Sequence, residues 1–513
     1  MEKIVKNIIE EQSDLNIAIT SINKCPLTYK DLKKLINNIA RQLSANGISN
    51  KDRAAIVLPN GPCMATSFLA ISSYMSSAPL NPNYKLDEFE FYLRDLKPKL
   101  LIVEQNSKNP ALAAANKLKI PVCEIKVKDS DPAGIFNLFE TDKDFTLPTE
   151  DDEALVLHTS GTTSRPKIVP LSNKNIFASS INISSSLDLG EKDHCLNIMP
   201  LFHIHGLIAV LASSMKVGAS VCASSGFNAL KFLDLAKSEK ITWYSGVPTM
   251  HQAILMRADK NLEIAKSLNL RFLRSSSASL PPAVFEKLNN VFECPVIEAY
   301  GMTEATHQMT SNPLPPRKRK PGFVGIPAGP DVCIMNQDGK ILNQGEEGEV
   351  CIKGPNVTLG YENNPEANKN SFSNGWFRTG DQGYFDKDGY LKISGRLKEI
   401  INKGGEKISP LEVDNILMNH PFIEQAVCFG YTDSMLGEDI ASAIIIKQGE
   451  NCSEDDIKNY AKDKLAKFKI PKKIFFVNEI PKGATGKLQR NILAKNFGLN
   501  DKWVKFVFLE LVL

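Results

Sequence analysis

Short apolar runs followed by amphipathic stretches recur through most of the chain. Residues 154–157 form an apolar run that predicts a strand, then a Gly/Ser/Thr loop, then a helix opened by Ser172 or Asn173. Runs at 242–245, 271–273 and 295–299 predict further strands, with helices over 249–258 and 281–292 between them. Strands alternating with helices predict α/β layers with mostly parallel sheets. The apolar stretch 206–212 reads as a buried element, and the apolar end 506–513 as a docked strand or helix. From about Gly322 the pattern changes. Residues 345–361 and 385–394 are glycine-rich and alternate apolar with polar, as in a small antiparallel β unit. Beyond Arg396 a third pattern begins, with helices over 412–418 and 454–465 and strands at 426–430, 441–446 and 473–477. The expected fold class is therefore α/β: a large multi-subdomain N-terminal α/β domain with a small β unit, plus a small mobile C-terminal α+β domain. The change of pattern places the boundary at about 395–399.

With 513 residues the chain is too long for one ordinary core. Sixty-one basic and 58 acidic residues leave +3, which gives no global field to attract nucleic acid or an anionic membrane. The basic loop around Arg317-Lys-Arg-Lys320 reads as a solvated surface loop, with a nuclear signal as the alternative. No apolar run approaches the roughly 18–20 residues that span a bilayer, and the N-terminus carries no signal-peptide pattern. The ten cysteines include no CxxC and read as small core residues of a reducing compartment.

The strongest chemical signal is Thr159-Ser-Gly-Thr-Thr-Ser-Arg-Pro-Lys167, directly after a strand. Glycine and hydroxyl residues there can turn backbone N–H and Oγ donors onto a phosphate chain, and Lys167 adds charge. It is not a Walker A loop. Further down the chain come Tyr300-Gly-Met-Thr-Glu304, Trp376-Phe-Arg-Thr-Gly-Asp381, Gly395-Arg-Leu-Lys-Glu399 and Ile480-Pro-Lys-Gly-Ala-Thr-Gly-Lys487. A carboxylate such as Asp381 presents two acceptors to a vicinal diol. A hard cation prefers carboxylate and phosphate oxygens. His203-Ile-His205 could suggest metal ligation if it lay on a strand, where both rings share a face, but no third ligand accompanies it.

Five such motifs in this order resemble the adenylate-forming superfamily of acyl-CoA synthetases, luciferases and peptide-synthetase adenylation domains. The resemblance implies ATP, Mg²⁺ and CoA as substrates and cofactor, and an AMP-forming acid–thiol ligase acting in two half-reactions. It assigns ATP or AMP binding to Thr159, Ser160, Gly161, Thr162, Thr163, Lys167, Tyr300, Asp381 and Arg396. Thr303 contacts phosphate, Glu304 binds Mg²⁺, and Lys487 is the catalytic lysine near the α-phosphate. Residues 1–396 would form the N-terminal domain, 397–399 a hinge pivoting at Lys398, and 400–513 the C-terminal domain. Gly404 and Gly405 would swing in to line the CoA channel. Two departures from the family pattern are Ile168, where glycine is usual, and Gly483, where Thr or Asn is common.

The detail most resembles oxalate–CoA ligases, over about residues 25–500. His158–Lys167, Pro200-Leu-Phe-His-Ile-His-Gly206, Arg274-Ser-Ser-Ser-Ala-Ser-Leu280, 298–307 and Gly404-Gly-Glu-Lys-Ile-Ser-Pro410 carry that likeness. It implies that His203, Ser277 and His307 hold the acid. Oxalate is a dianion without a hydrocarbon tail, so its second carboxylate needs donors and positive charge in a closed pocket. A core histidine bonded to backbone is the plain alternative for His307, and a structural hydroxyl for Ser277. Rival activities are a CoA ligase for another short-chain or coumarate-like acid, a luciferase-like oxidase, a carrier-loading module and a nucleic-acid binder. The expected partners are small molecules, not nucleic acid or membrane, with the chain a monomer or weak dimer. The chain ends Leu511-Val-Leu513 rather than Ser-Lys-Leu, so a cytoplasmic location is expected.

Overall fold

The computed structural model describes residues 2–159, 166–483 and 486–499. Two largely parallel sheets form the body of the N-terminal part. The larger has nine strands, and its central six, Ile17–Thr20, Ser220–Ala223, His194–Asn197, Trp243–Gly246, Phe272–Ser275 and Val296–Met302, are neighbours in that order and parallel. His307–Ser311 and Ile326–Pro327 then add on antiparallel. The second sheet has six strands, with Glu153–Thr159 and Lys167–Ser172 closing one edge as an antiparallel hairpin. Helices cover the faces because the central strands are apolar on both sides, as in Trp243–Gly246 and Phe272–Ser275, where all four residues are buried.

The expected strands and helices are present, with two differences. The segment ahead of the helix Asn173–Ser186 is not loop throughout, since Lys167–Ser172 pairs back onto Glu153–Thr159. Ile168 explains part of this: it is buried against Val156 and neighbours in a local core. Ser172 does open the helix, through a capping box with Asn175. The second difference concerns His203 and His205, which do not share a strand. His205 begins a buried π-helix, His205–Ala212, and its backbone N–H donates to His203 Nδ1 at 3.2 Å. π-Turns of this kind are rare and frequent at functional sites.

The small β unit is a five-stranded antiparallel sheet built on Asp331–Met335, Gly348–Lys353, Trp376–Phe385, Phe372–Ser373 and Leu391–Arg396. The last sheet begins at Ile401–Lys403 and contains the long hairpin Ile423–Asp433 and Gly437–Ile446, with Lys473–Phe476 parallel at one side. Two apolar clusters, one around Ile401, Val413 and Ile444 and one around Phe429 and Ile480, contain only residues from 401 onward. This part therefore has cores of its own. Residues 397–399 form an exposed turn between the two sheets, with the Glu399 N–H donating to Arg396 O at 2.8 Å. The basic loop is tied down: the Lys320 ammonium pairs with Asp386, and with Asp388 at 2.6 Å. Among the described residues no helix is long and apolar enough to cross a membrane. The expected element at 506–513 lies outside the described residues.

Candidate active site

Asp381 lies on a strand whose alternate residues are buried, so its carboxylate shares the inward face with Phe377 and Thr379. The antiparallel register sets Arg396 directly opposite. Arg396 Nε donates to Asp381 Oδ1 at 2.8 Å, and the Tyr300 hydroxyl donates to Oδ2 at 2.5 Å. Three residues quoted from three separate motifs thus meet around one carboxylate. The Asp381 charge holds the Arg396 guanidinium above its ordinary pKa.

Glu304 and His307 are positioned by one irregularity. The antiparallel pair Val296–Met302 and His307–Ser311 is interrupted by a bulge between Tyr300 and Gly301, and the turn between them contains the 3₁₀ segment Thr303–Ala305. Thr306 and His307 take left-handed φ of 48° and 91°. Gly301 permits this approach, because a Cβ there would lie 1.9 Å from the His307 carbonyl oxygen. The Glu304 carboxylate is buried and accepts a bond from the Tyr361 hydroxyl at 2.8 Å. Burial raises its pKa, against the opposing pull of Tyr361, Arg396 and Lys167. Lys167 Nζ sits 4.3 Å from the centre of the Tyr361 ring. Tyr361, which nothing in the sequence singles out, therefore joins two predicted residues. Thr303 opens the turn, and its carbonyl accepts from the Thr306 N–H at 3.0 Å.

Lys487 arrives from the C-terminal part. Its loop is closed by the Gly483 N–H donating to Lys487 O at 2.8 Å and is docked by the Thr249 hydroxyl donating to Gly486 O at 2.9 Å. Burial and the Arg396 charge lower the Lys487 pKa to about 8, although Asp381 and Glu304 pull the other way. Both carboxylates and Arg396 thus act on the Lys487 charge.

His203, His205, Ser277, His307 and Arg274 form a second cluster beside it. His205 is fully buried, with Nδ1 3.0 Å from Ser277 Oγ and Nε2 2.7 Å from Ser245 Oγ. The His205 and His307 rings lie 4.9 Å apart, and Ser277 is held at φ 72°. His307 is 1% exposed, and among the described residues neither of its ring nitrogens has a hydrogen-bond partner. Burial lowers the His203 pKa to about 3, with Lys487 adding to the effect, and lowers His205 and His307 well below the usual imidazole range. Burial likewise brings Arg274 down to about 9. All three imidazoles are neutral at physiological pH.

Other predicted residues stand apart. Gly404 and Gly405 form the exposed tip of the hairpin Ile401–Lys403 and Glu406–Ile408, where Gly404 N–H donates to Leu436 O at 2.8 Å. Lys398 is exposed on the 397–399 turn, and its charge reaches Lys167. Thr159 ends its strand opposite Lys167. Ser160, Gly161, Thr162 and Thr163 lie outside the described residues. Among the described residues no group of three or more His, Cys, Asp or Glu could hold a metal ion alone. A single buried carboxylate such as Glu304 suits Mg²⁺ delivered on phosphate oxygens, a cation that commonly takes one or two carboxylates and keeps its other oxygen ligands.

Residues 10–362 match the family described as AMP-binding enzyme, and residues 412–487 match the AMP-binding enzyme C-terminal domain. The chain is 46% identical to the oxalate–CoA ligase of Arabidopsis thaliana over 504 residues, covering 96% of this chain and 98% of that one. It is 41% identical to the oxalate–CoA ligase of Saccharomyces cerevisiae, covering 93% of each. Among solved structures, ATP-bound MatB from Rhodopseudomonas palustris superposes with a TM-score of 0.87 at 27% identity, covering 97% of this chain and 99% of that one. The apo form of the same protein, with the same identity and coverage, gives 0.77.

Proposed function

The chain belongs to the AMP-binding enzyme family, and from that premise we propose that the acid it joins to CoA is oxalate. It is an AMP-forming acid–CoA ligase that uses MgATP and CoA and works through an acyl-adenylate. In the first half-reaction one carboxylate oxygen attacks the α-phosphorus in line, forming oxalyl-AMP and releasing pyrophosphate. Little covalent chemistry falls to the protein, whose work is positioning and stabilising charge. Asp381 takes the ribose hydroxyls, with Tyr300 and Arg396 fixing its carboxylate. Glu304 would hold Mg²⁺, which when bound would offset charge on the phosphates. Lys167 and the 159–163 loop take the phosphate tail. Lys487 bridges the attacking carboxylate and the α-phosphate, and Thr303 bonds the phosphate.

In the second half-reaction the CoA thiolate attacks the adenylate carbonyl and AMP leaves. Residues 1–396 and 400–513 then act as separate bodies joined by the hinge 397–399. Rotation at Lys398 withdraws Lys487 and carries Gly404 and Gly405 to the CoA channel. The higher similarity to the ATP-bound than to the apo relative supports a pose in which Lys487 is engaged.

One observation carries the choice of acid: His203, Ser277 and His307 gather around His205, and among the described residues both nitrogens of the buried His307 are without partners. Buried polar atoms are rarely left unpaired, so such a group is suited to a ligand with oxygens. The test is incubation of the purified enzyme with MgATP, CoA and a panel of acids, followed by mass detection of the thioester and separation of the nucleotides. Oxalyl-CoA with one AMP per thioester is expected. Efficient use of butyrate or a coumarate with oxalate ignored would discard the pocket assignment and leave the ligase chemistry standing.

A further inference from the structure

Arg274 is wholly buried at the end of the strand Phe272–Ser275, and among the described residues no carboxylate pairs with it. Its Nη1 faces Ser245 Oγ at 3.4 Å and His205 Nε2 at 3.5 Å, its Nη2 donates to Gln308 Oε1 at 3.2 Å, and its Nε has no partner among the described residues. A buried cation without a counter-ion is costly, and proteins keep one where an anion completes the site. Its position also decides a tautomer. A guanidinium offers only donors, so Ser245 Oγ accepts from it at 3.4 Å and gives its own proton to His205 Nε2 at 2.7 Å, which makes that nitrogen the acceptor. His205 then carries its proton on Nδ1 and donates to Ser277 Oγ, which leaves the Ser277 hydroxyl proton free for an acceptor in the pocket.

We propose that Arg274 is a positioning residue that commits the pocket to a small dianion: through His205 it turns the Ser277 hydroxyl outward as a donor, and it supplies the fixed positive charge for the second carboxylate. This rests on the acid-pocket reading above. The groups facing His205 and His307 are Arg274 from the strand end, His203 ahead of the π-helix, and Lys487 from the C-terminal loop. Neutral imidazoles and one permanent cation make oxalate binding insensitive to histidine titration.

The test compares wild type with Arg274→Met and Arg274→Lys, measuring KM for oxalate, malonate, acetate, propionate and ATP between pH 5.5 and 8. In Arg274→Met the KM for oxalate should rise about 10–100-fold, the scale of one charge-assisted bond, with KM for ATP little changed. The loss should shrink as pH falls, because removal of the guanidinium lets His205 or His307 take up a proton and replace the charge. Wild type measured at each pH removes the contribution of Lys487, which both proteins share. Arg274→Lys keeps a charge and should show a smaller loss without recovery in acid. If Arg274→Met fails to bind ATP, Arg274→Lys decides: retained preference for the dianion supports the proposal. Equal losses for dianion, monoacid and ATP in the soluble variants, with no recovery at low pH, overturn it. A wild type that takes malonate and not oxalate sinks the oxalate reading alone, and the variants then judge Arg274 on malonate. A wild type restricted to monocarboxylic acids sinks both.

Discussion

Lys487 and Glu304 are the two residues whose electrostatics bear most directly on adenylation. On the proposed reading, Lys487 acts on the α-phosphate only while its loop is docked through Gly486 on Thr249. Lys487→Ala should therefore lower oxalate adenylation by about 10²–10³-fold, the usual effect of removing one transition-state donor. Thioester formation from synthetic oxalyl-AMP should stay nearly intact, and single-turnover assays of each half-reaction compare the two. Equal losses in both would assign Lys487 to folding. The lysine must be protonated to bridge two anions, and its pKa in the free enzyme is lowered to about 8. kcat/KM for adenylation should thus fall as pH rises through about 8, whereas kcat should hold to higher pH, since bound phosphates favour the charged lysine. Glu304→Gln should raise the Mg²⁺ concentration needed for half-maximal rate, with partial recovery at saturating Mg²⁺. An unchanged Mg²⁺ dependence would leave Glu304 as a packing partner of Tyr361.

The loop that carries Lys487 depends on one glycine. Gly486 sits at φ 81°, and a Cβ there would meet Val247 Cγ2 at 3.1 Å and Thr249 Oγ1 at 3.3 Å. Gly486→Ala should weaken docking of this loop on the helix Pro248–Ala258, reducing adenylation and sparing the thioester step, as the same pair of half-reaction assays would show. Unaltered adenylation would mean that the loop seats without this contact. Elements of this kind were partly legible in the sequence. The strands and helices around the site follow from apolar runs and caps, and Tyr300, Asp381 and Arg396 stand out as motif residues. Their convergence on one carboxylate was not legible, since it depends on an antiparallel register and on strands far apart in the chain. The hairpin strand Lys167–Ser172 was hidden by Pro170 and by the polar loop before it. The π-helix was hidden because 206–212 is apolar at every position and carries no period. Arg274 stands in the sequence only as the first residue of the motif 274–280, and the fold shows that among the described residues no carboxylate pairs with it.

At the scale of the whole molecule, histidine burial sets the acid stability. All seven histidines have pKa values lowered by burial, with His203 at about 3 and His251 at about 4. The unfolded chain takes up these protons near pH 6.5 and the folded chain does not, so stability is present above about 6.5 and is lost as pH falls toward the folded values. Glu298, raised to about 8, and Glu304 act in the opposite direction but are outnumbered. The melting temperature should drop steadily from pH 7 to pH 4.5, followed by calorimetry, and a flat profile would mean that these rings are hydrated. The C-terminal part has cores of its own, and the loop that carries Lys487 docks on Thr249 through Gly486; on the proposed reading adenylation should need no CoA. The measurement that bears most directly on this account is exchange of labelled pyrophosphate into ATP by the wild-type enzyme, with oxalate and Mg²⁺ present and CoA omitted. The account predicts exchange that requires oxalate and is abolished by Lys487→Ala. Absence of oxalate-dependent exchange in an enzyme that nevertheless makes oxalyl-CoA, with ADP as its nucleotide product, would contradict it.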